Sequence, residues 1–81
     1  MKVDKYTAMI HEEDGGYVSL CPELDIASQG NTVEEALHNL KEAVELFFEF
    51  APQEEVARRE HQNMFVTQFE VEDHSSIRAQ A

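Results

Sequence analysis

From Val33 to Phe48 the apolar residues Val33, Ala36, Leu37, Leu40, Ala43, Val44, Phe47 and Phe48 recur at spacings of three and four. That is the period of an α-helix with one apolar stripe, and Glu34, His38, Lys41, Glu42, Glu45 and Glu49 fall mostly on the opposite side. Thr32 is placed to cap the helix, and Glu35 three residues on completes the Thr-x-x-Glu capping pattern. Pro52 disfavours helical geometry in the residue before it, so the helix should end near Phe50 or Ala51. A helix with one apolar stripe needs a surface to cover, and no second long amphipathic helix occurs in these 81 residues. The remaining pattern therefore has to supply a sheet.

It does so in short runs. Tyr6, Ala8 and Ile10 alternate with Lys5, Thr7, Met9 and His11, and a strand is expected there. Glu12-Glu13-Asp14-Gly15-Gly16 reads as the reversal, because Asp-Gly and Gly-Gly supply the positive φ angles of a tight hairpin turn. A second strand runs from Tyr17 to Cys21, and Pro22, which cannot donate a ladder hydrogen bond, closes it. Pro22 to Asp25 forms a connection and Ile26 to Gln29 a short third strand. After the main helix, Pro52 to Arg59 can start a short second helix. Met64 to Glu72 alternates again, with Phe65, Thr67, Phe69 and Val71 on one face, and is expected to form a fourth strand. The fold class is α+β, ordered β-β-β-α-β, a mixed sheet with one main helix on one face. Residues 1–72 make one domain, and 73–81 a flexible tail. One helix cannot cover both sheet faces, so a second copy of the chain is expected to cover the other.

Charge narrows the function. Six Lys and Arg against seventeen Asp and Glu give a net charge of −11. Such a body repels phosphate, so direct binding to nucleic acid or an anionic membrane is not expected, and a basic protein partner is. No long apolar run suggests a signal peptide or a membrane span. The lone Cys21 permits no intramolecular disulfide, fits a reducing cytoplasm, and reads as a buried, inert thiol. His11, His38, His61 and His74 share no metal-binding spacing, and no nucleotide-binding glycine loop or serine-hydrolase motif is present. Neither a metal nor another cofactor is expected. Among the many acids, Asp4, Asp25 and Glu35 come from separate elements and are the candidates for a metal-dependent nuclease.

One ordered set of residues goes further. Asp14-Gly15-Gly16-Tyr17-Val18, then Cys21-Pro22-Glu23-Leu24-Asp25, then Gln29-Gly30-Asn31-Thr32-Val33-Glu34-Glu35-Ala36 resembles the HicB family of antitoxins. The resemblance covers about Tyr6 to Phe48. It implies a partial RNase H-like unit and a non-catalytic protein that neutralises HicA, a small basic mRNA-cleaving toxin, by covering its working surface. Two departures stand out: Ile26-Ala27 follows Asp25 where many members have Gly-Cys, and nine residues after the last expected strand are too few for the DNA-binding module many members carry. With the acidic charge, the resemblance marks Glu12, Glu13 and Asp14 at the hairpin, and Glu23 and Asp25 in the second connection, as partner contacts. Gly15, Gly16, Thr32 and Glu35 are assigned to the fold. The expected assembly is a cytoplasmic homodimer or homotetramer. The alternatives are a homo-oligomeric binding or regulatory module with no toxin, and the residual nuclease.

Overall fold

The computed structural model describes residues 5–60 and 63–74. Asp4, His61 and the tail from residue 75 lie outside the described residues. The chain is α+β: strands β1 (Met9–Glu13), β2 (Gly16–Cys21) and β3 (Ile26–Gly30) form an antiparallel sheet in the order β1-β2-β3. Helix α1 (Val33–Phe50) lies across it, and a short α2 (Gln53–Glu60) follows.

The β1–β2 hairpin turns on Asp14 and Gly15, at φ of 50° and 81°. Both central residues of this tight two-residue turn sit in the left-handed region, which matches the twist of the strands it joins. The turn sets Glu13 opposite Gly16 and Met9 opposite Leu20. Glu12 and Glu13, expected in the reversal, therefore belong to β1. At its other end β1 starts later than the alternation suggested. The backbone N–H of Thr7 donates to the Glu23 carboxylate at 2.9 and 3.1 Å, which holds this stretch by a side chain.

Side chains alternate across the sheet. Ser19 and Cys21 point toward α1: Ser19 is buried and its Oγ donates to the Ala36 carbonyl at 2.9 Å, while Cys21 packs with Leu24 and Leu40. Tyr6, Ile26, Val44 and Phe47 close around that small core. Leu24 comes from the turn after β2, where its N–H bonds the Cys21 carbonyl, so the connection itself supplies a core residue. The neighbouring Asp25 takes the left-handed conformation, φ 55°, that lets the chain reverse there.

The cap of α1 forms as expected on one side. Thr32 Oγ1 accepts from the Glu35 N–H at 3.0 Å. The reciprocal bond is shifted by one residue, because Glu35 Oε1 accepts from the N–H of Asn31 rather than that of Thr32. Ala51 closes the other end by donating to the Phe47 carbonyl, one residue before Pro52. The apolar stripe is only partly used. Ala36 and Leu40 are buried and Ala43, Val44 and Phe47 half-buried, but Val33, Leu37 and Phe48 remain exposed. Where α2 forms, Arg59 ties it to the body: its guanidinium bonds the Leu24 carbonyl at 2.6 Å and sits 4.8 Å from the centre of the Phe47 ring.

The fourth strand does not form. Residues 63–74 pair with no strand, and every one is exposed, with Phe65 and Phe69 at 89% and 84%. The expected strand over Met64–Glu72 is therefore absent: alternation alone does not make a strand, which needs an edge to pair with, and this segment does not reach one in its own chain.

Candidate partner interface

The acids marked in the sequence fall into two groups at opposite ends of β2, about 17 Å apart at the usual strand rise. Glu12, Glu13 and Asp14 cluster at the hairpin tip, and Glu23 and Asp25 in the turn beyond Cys21. They form two surfaces with different chemistry.

At the tip, the hairpin, the end of β3 and the first turn of α1 enclose an open groove of about 560 Å³. Glu13, Asp14 and Glu35 contribute its charge, Tyr17, Asn31 and Asn39 add polar groups, and no Lys or Arg lines it. At one side of it Gly30 runs directly under the first turn of α1. A Cβ on that residue would lie 2.5 Å from the Ala36 nitrogen and 2.8 Å from the Glu35 carbonyl carbon. Asn39 fastens the same corner by donating from Nδ2 to the Gln29 carbonyl at 2.8 Å. Glu12 and Glu13 are exposed, and Glu13 meets the His11 ring at 3.1 Å. A groove bordered by acids and lined by no Lys or Arg suits a cationic side chain from a partner.

The turn is different. Glu23 is committed to its own chain. Its carboxylate accepts from Thr7 Oγ1 at 2.6 Å and from the Thr7 N–H, and lies 3.6 Å from Cys21 Sγ. Burial acts to raise the Glu23 carboxyl, but the hydrogen bonds from Thr7 and from its own backbone outweigh it and hold the group below the ordinary carboxylate range. Burial pushes the Cys21 thiol up, helped by the adjacent Glu23 charge. A thiol held protonated next to a carboxylate is a poor nucleophile. Asp25 is exposed at a turn position.

Asp25 and Glu35 sit beyond opposite ends of β3. Four strand steps, about 13 Å, separate those ends, too far for the two to share a pair of ions about 4 Å apart. Among the described residues no group of three or more His, Cys, Asp or Glu could hold a metal ion. No helix among them is long and apolar enough to cross a membrane.

Two contributors had no clear sequence signal. Leu24 looked like a turn residue, and Arg59 like the end of a short second helix, with nothing to mark it as reaching back to the body. The Pro22-Glu23-Leu24-Asp25 stretch did carry a hint, because an apolar residue in an otherwise polar, proline-led turn has little reason to be there unless it points inward.

A UPF0150 protein of Helicobacter pylori strain J99 is 35% identical to this chain over 65 residues, which span 79% of the chain and 90% of the relative. The chain belongs to the UPF0150 family. Two UPF0150 proteins of Synechocystis are also similar: ssr1765 is 46% identical over 50 residues and ssl0738 is 42% identical over 50 residues. The matched stretches cover 59% and 60% of this chain, and 63% and 69% of those relatives, so the chain spans less than two thirds of ssr1765. No family model matches this UPF0150 protein, and no solved structure matches it significantly.

Proposed function

We propose that this UPF0150 protein is a non-catalytic, HicB-like antitoxin of the cytoplasm that binds a small, basic, HicA-like mRNA-cleaving toxin and covers its RNA-binding surface. The observation that carries the reading is the hairpin-tip groove, bordered by Glu13, Asp14 and Glu35 and lined by no cationic side chain. A protein built to hold RNA presents Lys and Arg, and an acidic groove on a chain of net charge −11 attracts that surface over distance and pairs with it on contact. The ordered Asp-Gly-Gly-Tyr, Pro-Glu-Leu and Gly-Asn-Thr-x-x-Glu-Ala segments support the same reading. The first and third lie in the turn and cap that shape the groove, and the second in the turn that brings Leu24 into the core at the other end of β2.

On this reading the tip acids Glu12, Glu13 and Asp14 make the partner contact, and Glu23 serves the fold. The test is to mix the purified protein with the product of an adjacent small basic reading frame and to follow both complex formation and RNA cleavage. A tight complex that abolishes cleavage, and that weakens steeply with added salt, is expected. Cleavage that continues at saturating concentrations of this protein overturns the reading.

A further inference from the structure

We propose that Met64–Glu72 of one chain pairs along the outer edge of β1 in a second copy of the same chain, so that two copies exchange these strands. The segment has a strand's period with no strand to pair with: Phe65, Thr67, Phe69 and Val71 alternate with Met64, Val66 and Gln68, and all are exposed. An isolated apolar strand in water leaves both its side chains and its backbone groups without the cover a sheet provides.

The apolar surface left uncovered is concentrated in this segment: Phe65, Val66, Phe69 and Val71 are 89%, 66%, 84% and 73% exposed. Two copies that each lay these side chains against the other cover both segments at once.

The two edges of the sheet are not equivalent. Because the two-residue turn makes Glu13 and Gly16 a hydrogen-bonded pair, alternation leaves the backbone groups of Ile10 and Glu12 facing outward from β1. On β3 the corresponding positions are Ala27 and Gln29, and the Gln29 carbonyl already accepts from Asn39. The incoming strand also suits β1 in charge. Asn63 to Phe69 has no ionisable residue, so a run long enough to span β1 approaches Glu12 and Glu13 without repulsion. Strand and receiving edge belong to the same chain, so two copies satisfy each other about a two-fold axis and the assembly closes.

The inference does not depend on toxin binding. The experiment uses the full chain, with one preparation labelled with heavy nitrogen and another with heavy carbon, unfolded, mixed and refolded together. Sedimentation equilibrium at micromolar concentration is expected to show a dimer, and isotope-filtered NMR to show contacts between chains from the Ile10 and Glu12 amides to residues 64–72. The double substitution Phe65→Asp, Phe69→Asp is expected to raise the dimer dissociation constant at least about thirtyfold while the β1–β2 hairpin signals persist. A monomer overturns the proposal. So does a dimer whose β1 contacts to 64–72 lie within one chain, or one joined through the open sheet face around Val18 and Leu20.

Discussion

Replacing Glu23 by Ala separates a fold residue from a binding residue. The substitution removes the acceptor of two hydrogen bonds from Thr7, one from its backbone N–H and one from Oγ1 at 2.6 Å. Hydrogen bonds to a charged acceptor contribute about 1.5–3 kcal/mol each. Glu23 is only half-buried, so water can reach the abandoned donors. Discounting by about half for that solvent access leaves a loss of roughly 2 kcal/mol. In a domain of this size that lowers Tm by about 8–16 °C.

The pH dependence gives a second readout. The folded-state carboxyl titrates below its ordinary value of 4.5, so its contribution is fully present above that value. As pH falls below it, the unfolded chain takes up the proton first, and the contribution is lost through the folded-state value. Thermal melts followed by circular dichroism, run on both proteins from neutral to acid pH, should therefore show a Tm gap that closes on acidification. Toxin affinity, measured on the folded variant at neutral pH, should match that of the parent. Equal Tm values at neutral pH, or a gap that ignores pH, would refute the assignment of Glu23 to the fold.

Gly30→Ala should cost about 1–3 kcal/mol, because the added Cβ meets the backbone of α1 rather than a flexible side chain; urea denaturation would read it, and an unchanged midpoint would mean that the helix can shift. Glu13→Lys with Asp14→Asn should weaken toxin binding and flatten its salt dependence while Tm stays within about 2 °C, since both side chains are exposed and Asn tolerates the left-handed turn position; titration calorimetry at two salt concentrations tests this. Ser19→Ala should lose about 1 kcal/mol through the bond to the Ala36 carbonyl, measured by denaturant melts. Cys21 should react with a thiol reagent far more slowly in the native protein than in denaturant, because the thiol is buried and held protonated.

Elements whose determinants are local were legible in the sequence. Helix α1 announced itself through its period, its Thr32 cap and Pro52, and the hairpin through Asp14-Gly15, because each signal acts within a few residues. Interactions that depend on distant partners were not. Thr7 reads as a strand residue until Glu23, sixteen positions away, takes its N–H. Residues 64–72 carry a strand's alternation, yet nothing in alternation names the edge that completes it. The site divided along the same line. The acidic character of the tip followed from residue types, but the separation of Glu12, Glu13 and Asp14 from Glu23 and Asp25 depends on the direction and length of β2. Seen as a string, all five acids fall within fourteen residues; folded, they occupy opposite ends of a sheet.

The Asn39 amide on the Gln29 carbonyl has a consequence for how far association can go. A sheet with two receptive edges is a monomer for unlimited growth, since each added copy presents a fresh edge to the next. With one margin of this sheet obstructed by a side chain from its own helix, stacking edge to edge loses its register at every addition. Asn39→Ala would clear that margin, and the variant should form fibrils sooner, and at lower protein concentration, than the parent.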